Sequence, residues 1–511
     1  MFRVTVLLTL LLALVVALGL GGNNTSVSAE DSGYSKEFEE KVKKRLGYYE
    51  RALERYKNDR KPSGDALAQA IRDYLIPCDH PNIVDTLISA MNSIPDGLVM
   101  AACVKAIATV TEGPVLDYVI GKGIRKGKPE TRAMIIEAMG KGEVVQTFTL
   151  LCEILRDDKD NEIVRAAAAR ALGYLQDARG VNVLVSVEKD KSEVVKLALI
   201  EALLMFQDDV SAGCISAMIA DETSWKVRAA AIKASVKRKL SGSVGYMITR
   251  LRKENGRLFG DLLNALKEIT GIDKGENINA WEQWFEHSDY AKGGKVEKVP
   301  REDIPGNYTT ITYHGIRTHS KNVVFIVDRS ESMKERCDPK ALKGDYMKPD
   351  EKFVGETRME LVKWELSRTI ARLDKNTSFN IITYSTDVRS WKKKSLFATD
   401  SNKKAAVSFV NSLTPEGRTN TWGALLEAFG CKSFGDGKFN ANPMGDTIFL
   451  LTDGDPNEGE LDDPDEILAG VAELNRFHHI VIHCIAVGRF NKAFCQDLAE
   501  KNGGEFIDLG D

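Results

Sequence analysis

Cysteine is scarce in this chain, eight residues in 511, too few for a scaffold stapled by disulfides. An excess of one charge is missing as well. Seventy Lys and Arg face seventy-four Asp and Glu, for a formal net charge of −4. Without a basic footprint, non-specific nucleic-acid binding is not expected. Aromatic residues make up only 7%, which favours helix-on-helix packing of Ala, Leu and Val over part of the length. Beyond the first thirty residues no apolar run approaches the roughly 20 residues that a membrane span needs. What remains is 43% hydrophobic against 28% charged, a composition that folds. At roughly 150 residues per domain there is room for about three units, or fewer if one is a repeat array.

Arg3 precedes an apolar run from Val4 to Leu20, and a small, polar stretch leads to Val27-Ser28-Ala29 before Glu30 and Asp31. This is the layout of a secretory signal over residues 1–29, with an uncleaved N-terminal anchor as the alternative. An exported protein is expected, in the periplasm, on the cell surface or secreted. It would touch a membrane only if the segment is retained.

Residues 35–59 form an amphipathic helix in this reading, because Phe38, Val42, Leu46, Tyr49, Leu53 and Tyr56 recur every three or four positions. Residues 60–286 then repeat. The clearest unit is Asn161-Glu162-Ile163-Val164-Arg165-Ala166-Ala167, and aligning Thr131, Val164, Val195 and Val227 gives spacings of 33, 31 and 32. The same step reaches Val99 and Ala66 backwards and Phe259 forwards, about seven units in all. The basic residue after each Val is expected to point out of the repeat. The pattern resembles HEAT repeats of the short bacterial kind, which implies an all-α solenoid. Trp281, Trp284 and Phe285 are expected to close its last layer. Residues 287–306, carrying Gly293, Gly294, Pro300 and Pro305, read as a linker.

From 307 to 511 the texture changes to strand–helix alternation. Strands are expected at Val323–Val327, Phe379–Tyr384, Thr447–Leu451, Ile480–Val487 and Phe506–Leu509, with helices at Met359–Leu373, Pro464–Arg476 and Lys492–Asn502. That order implies a mostly parallel sheet with helices on both faces. Its chemistry should lie beyond the carboxyl ends of the strands. The first strand runs into Asp328-Arg329-Ser330-Glu331-Ser332-Met333. A dinucleotide loop of the form G-x-G-x-x-G is missing there, and so is a G-x-S-x-G elbow. An aspartyl phosphatase would want a second carboxylate where Ser330 stands. One carboxylate and two hydroxyls at alternate positions suit a hard cation, Mg²⁺, Mn²⁺ or Ca²⁺. Leu450-Leu451-Thr452-Asp453-Gly454 brings another carboxylate to the same edge, and Gly417-Arg418-Thr419-Asn420-Thr421 brings another hydroxyl.

Together these three segments resemble the metal-ion-dependent adhesion site of the von Willebrand factor A domain. The resemblance implies an α/β, Rossmann-like domain that binds a divalent cation, Mg²⁺ foremost, through Asp328, Ser330, Ser332, Thr419 and Asp453. It also implies that Thr419 bonds the ion directly in the ligand-competent state, while the two aspartates act largely through water. The partner it implies is a protein presenting Asp or Glu.

Several residues depart from the family pattern or invite other readings. Arg329 and Glu331 put opposite charges at variable positions, and Glu331 is placed to compete for the ion. The segment from Lys334 to Thr357 is either a specificity loop or a bland insertion. His479 and His483, four apart on one expected strand, read as structural histidines, and Lys392–Lys394 as a solvated edge. Cys337 and Cys431 both belong to loops at the metal end, and a bridge between them is one option. In integrin members a helix after the last strand toggles the site. Here only Gly510 and Asp511 follow, so a locally set site is expected, with Tyr308–Tyr313 covering the bared sheet surface. No nucleophile–base pair or cofactor loop appears, so no enzyme is expected. The expected function is that of an exported bacterial interaction protein, with the solenoid as a second binding surface. The alternatives are an RNA-binding protein resembling the Ro autoantigen in domain make-up, and a metal-dependent hydrolase with Glu331 as base.

Overall fold

A computed structural model describes residues 34–59, 64–94, 96–221, 223–293, 310–337, 353, 355–433 and 442–509. The apolar N-terminal segment, most of the linker, Tyr308, Thr309, Gly510, Asp511 and the middle of the Lys334–Thr357 segment lie outside them.

Helix α1 (Lys36–Asn58) packs on a first row of helices: α2 (Asp65–Tyr74), α4 (Gly97–Ile107), α6 (Pro129–Lys141), α8 (Glu162–Leu175), α10 (Glu193–Leu203), α12 (Trp225–Arg238) and α14 (Arg257–Thr270). Each touches the next. Behind them runs a second row: α3 (Pro81–Ser93), α5 (Gly113–Tyr118), α7 (Phe148–Arg156), α9 (Arg179–Val185), α11 (Asp209–Ala217), α13 (Val244–Leu251) and α15 (Ile278–Glu286). The aligned anchors open the first-row helices and face the core. Val99, Val164, Val195, Val227 and Phe259 are fully buried and Thr131 nearly so. At Ala66 the register slips by one, because Leu67 takes the buried place. Side chains cap the helix starts at the same point in successive repeats: Asn161 accepts from Ile163 N, Ser192 from Val195 N and Ser224 from Val227 N. Small residues let the first row close up. A Cβ at Gly140 would lie 2.5 Å from Ala171 Cα, and one at Gly173 2.7 Å from Ala202 Cα. Trp281 and Phe285 are buried at the end of the array, as expected of a closing layer.

One expectation is corrected. The basic residues after the anchors turn inward and do not point out of the repeat. Arg132 forks onto Asp160 at 2.8 and 2.6 Å, Arg165 pairs with Asp190, Lys196 reaches Asp221 at 2.6 Å, and Arg228 reaches Glu254 at 2.7 Å. Each acid stands just before the next first-row helix. The Nε groups of Arg132 and Arg165 also donate to Ile124 O and Leu155 O, carbonyls at helix ends that would otherwise lack a partner. The outward reading failed because it weighed charge and not these unmet acceptors.

The second domain is built on a sheet of order β5-β4-β3-β7-β8-β9, with β6 beside β4. Its strands are β3 (Asn322–Asp328), β4 (Ser378–Tyr384), β5 (Val388–Ser390), β6 (Leu396–Phe397), β7 (Thr447–Thr452), β8 (Val481–Val487) and β9 (Phe506–Leu509). The β3, β4, β7, β8 and β9 strands run parallel; β5 and β6 are antiparallel edges. Helices α16 (Arg358–Arg372) and α17 (Asp400–Asn411) bury one face, and α18 (Thr421–Phe429), α19 (Pro464–His478) and α20 (Lys492–Lys501) the other. Buried on both sides, the central strands are continuous apolar runs. A hairpin of β1 (Ile311–Tyr313) and β2 (Ile316–Thr318) covers the first face, where Tyr313 sits edge-on to Phe325 and Phe449 at 5.2 and 5.5 Å.

Cys337 and Cys431 pack into the two opposite cores of this sheet, so the bridge considered between them does not form. His479 and His483 share no strand. His479 ends α19 with φ 51°, whereas His483 lies inside β8, stacked on Phe449 and accepting from Glu505 N at 3.0 Å. Burial pushes both imidazoles down, to about 3 and about 4, which keeps them neutral and structural.

The two domains meet along α19. Arg476 donates to Glu201 at 2.9 Å and to Glu137 at 3.2 Å. Arg257 donates to the carbonyls of Asp446 and His479, and Lys233 to that of Lys501. Asp446, His479 and Lys501 precede strands, so the solenoid grips the edge opposite the carboxyl ends.

Candidate metal centre

Asp328 ends β3, and Arg329 to Ser332 turn from it between β4 and β7 at the carboxyl edge. Ser330 N donates to Asp328 Oδ1 at 2.8 Å, and Thr452 Oγ1 donates to Asp328 Oδ2 at 3.0 Å. Both oxygens of this buried carboxylate are thereby engaged. From β7 comes Asp453, whose Oδ1 accepts from Ser332 Oγ at 2.8 Å and from Ser330 Oγ at 3.3 Å. The two serine hydroxyls are 3.1 Å apart. Thr419 arrives on the loop before α18. Its N–H donates to Asn457 Oδ1 at 2.9 Å, and its carbonyl accepts from Asn457 N at 3.0 Å. A Cβ built on Gly454 would lie 3.8 Å from Thr419 Oγ1 and 3.9 Å from Ser332 Oγ. The absence of a side chain at Gly454 leaves that space open between the hydroxyls. The five residues picked from the sequence therefore lie together at the carboxyl edge of the sheet.

Electrostatics mark the same spot. Desolvation, then the nearby Asp453 carboxylate, pushes Asp328 up to about 6. Desolvation also raises Asp453, against hydrogen bonds from Ser332 and Arg358. Two buried acids side by side are a poor place for two negative charges and a good place for a cation. Hydroxyls and carboxylates are the donors that hard divalent ions take. The residues fit such an ion.

The two charged departures do not occupy the opening. Arg329 is buried, with one arm on Asp387 and the other 2.7 Å from Glu416. It braces the neighbouring loops. Glu331 is corrected as a competitor for the ion: its side chain is 66% exposed and pairs with Lys334 at 2.6 Å. Odd positions on a turn point away from the face that even positions share. Sequence reasoning missed Asn457, Thr452 and Arg358. Asn457 clamps Thr419 from a distant loop, and no spacing announces it. Arg358 touches Asp453 from the start of α16, a contact made only by folding.

Comparison with known proteins gives the same two-part division. Residues 322–510 match the von Willebrand factor type A domain, and residues 148–235 match HEAT repeats. Inter alpha-trypsin inhibitor, heavy chain 4, of Mus musculus is 30% identical over 189 residues, 37% of this chain and 18% of its own length. Inter-alpha-trypsin inhibitor heavy chain H4 of Homo sapiens is 31% identical over 193 residues, with the same shares. The chain thus spans less than a fifth of these curated relatives. Among solved structures, the von Willebrand factor type A protein of Catenulispora acidiphila is 19% identical, covering 38% of this chain and 40% of that one at a TM-score of 0.28. The chain carries HEAT repeats followed by a C-terminal von Willebrand factor type A domain.

Proposed function

We propose that this is a non-enzymatic interaction protein whose A domain binds a divalent cation, Mg²⁺ foremost, and through it an acidic side chain of a protein partner. The observation that carries the reading is the pair of buried carboxylates, Asp328 and Asp453, facing the hydroxyls of Ser330 and Ser332 with Thr419 beside them. Asp328 has both oxygens engaged within the protein, which suits contact through water. Thr419, clamped on both sides by Asn457, is suited to direct ligation. When bound, the ion supplies an electrophilic position for one more anionic oxygen. Mn²⁺ and Ca²⁺ use the same donor class. The hydrolase alternative is disfavoured because Glu331, its only base, is paired with Lys334 at the surface. The solenoid contributes a second surface through its second row, since α19 already occupies part of the first. Among the described residues no helix is long and apolar enough to cross a membrane. Export rests on residues 1–29, and N-terminal sequencing of the mature protein tests it.

Calorimetric titration with Mg²⁺ and Mn²⁺ tests the site. The wild type should bind one ion, and Ser332→Ala and Thr419→Ala should bind it at least ~10-fold more weakly. Undiminished affinity in both variants would refute the assignment. Partners retained in Mg²⁺ and released by EDTA should carry an acidic residue whose replacement ends capture.

A further inference from the structure

Arg358 is the first residue of α16, a helix start fixed by a capping box in which Thr357 accepts from Glu360 N and Glu360 reaches back to Thr357 N. A cation at a helix N-terminus opposes the helix dipole, and this one is also buried, with a side chain 3% exposed. Such a residue needs anions to hold it. Nη1 lies 3.1 Å from Asp453 Oδ2, and Nη2 lies 2.9 Å from Glu335 Oε2. Room is made for it from behind. Gly488, with φ +76°, follows β8, and a Cβ there would lie 2.2 Å from Arg358 Cζ. The two oxygens of Asp453 are thus divided, Oδ1 to the serine hydroxyls and Oδ2 to the guanidinium.

We infer that Arg358 is a resident counter-cation of the metal site, holding Asp453 in the absence of an ion and keeping the affinity for divalent cations low. The inference rests on the metal-binding reading above. Its physical basis is the sharing of one carboxylate. A guanidinium stays charged at every accessible pH, so an incoming ion meets a half-neutralised Asp453 and a fixed positive charge a few ångströms behind it. In a buried site that repulsion is worth about tenfold or more in affinity. The result is a site from which the ion can leave readily.

Titration of the full-length protein with MgCl₂ and MnCl₂, with melting followed in EDTA and in Mg²⁺, tests this. Arg358→Gln should bind Mg²⁺ ~10-fold or more tightly, melt lower than wild type in EDTA, and gain more from added Mg²⁺. Arg358→Lys keeps the charge and should stay within about threefold of wild type. Equal or weaker binding by a folded Arg358→Gln protein would overturn the inference. If that variant does not fold, Glu335→Gln decides, since Glu335 is 62% exposed and outside the core. Losing its second anion commits Arg358 more fully to Asp453, and Mg²⁺ affinity should fall about threefold; unchanged or raised affinity would overturn the inference. A wild type that binds neither ion refutes the metal reading itself. The pair is then judged from melting in EDTA: destabilisation by Arg358→Gln that Asp453→Asn relieves supports the holding role, and no relief rejects it.

Discussion

In the solenoid the charged groups are spread along the chain, one clasp in each of four successive repeats, whereas in the A domain they gather at the carboxyl edge of one sheet. Arg132, Arg165, Lys196 and Arg228 each close on an acid before the next first-row helix. Each clasp meets a local need, so the set behaves as a repeating structural device. Asp328, Asp453, Ser330, Ser332 and Thr419 come from three segments and leave two buried acids with raised proton affinity. Buried polar groups that satisfy one another hold a fold together. In the A domain every carboxylate oxygen of Asp328 and Asp453 has a partner, yet two like charges stay buried side by side.

A third set belongs to both regions. Glu137, Arg170, Glu201 and Lys233 each stand six residues after an anchor. Three of these four hold α19 or its surroundings: Glu137 and Glu201 through Arg476, and Lys233 through Lys501 O. Arg170 is buried beside them, its Nε 3.6 Å from Glu137. A repeat position that serves no clasp has become the docking face for the A domain.

The sharpest break in the comparison is expected at Asp453. Asp453 belongs to no core pattern in the sequence, yet it makes a buried pair with Arg358. Removing it should cost about 3 kcal/mol, because a guanidinium is left buried without that partner. Ser332→Ala should weaken ion binding at least ~10-fold at a stability cost under ~1 kcal/mol. Urea denaturation beside calorimetry separates the two, and equal stability losses would erase the distinction drawn here.

Close packing in the solenoid should give the next effect. Gly140→Val drives a side chain into the Ala171 backbone and should cost about 2–3 kcal/mol. Gly213→Ala, inside α11 with nothing within 4 Å, should stabilise by about 0.5–1 kcal/mol. Reversed signs in denaturant melts would mean that the rows are not packed as described.

Arg476→Ala should undock the domains at about 2 kcal/mol, less than a fully orphaned pair because Arg170 remains beside Glu137 and Glu201. Two melting transitions should replace one, with Mg²⁺ affinity unchanged. A single unshifted transition would show that Arg476 does not carry the docking.

The last break concerns acid. Burial pushes Glu137 up, but Arg476, Arg170 and Lys141 outweigh it and hold the carboxyl at about 2, below its ordinary 4.5. A depressed folded value means that its contribution is complete above about 4.5 and is lost as pH falls from there towards 2. Small-angle scattering should show the domains separating across that window. Separation that begins nearer neutrality would point to a different group.

Much of this was legible in the chain because much of it is periodic or contiguous. The repeat spacing located six of seven buried anchors, since equivalent residues in stacked units meet the same surroundings. Continuous apolar runs marked the central strands, since a sheet covered on both faces has no polar side. Alternate positions on the Asp328–Ser332 turn carry one carboxylate and two hydroxyls, and the strand–helix order sends Asp453 to the same edge; the resemblance to the A-domain metal site then singled out Thr419 and completed the set of five.

What only tertiary structure decided were contacts between segments with no fixed spacing. Asn457 on Thr419, Arg358 on Asp453 and Arg476 on Glu137 and Glu201 all join parts of the chain that no pattern links. The inward turn of the clasp arginines depended on backbone carbonyls, which every residue carries and no sequence displays. Periodicity reports which face of an element is buried. It cannot report which charge waits on the other side, because that depends on how the faces are brought together.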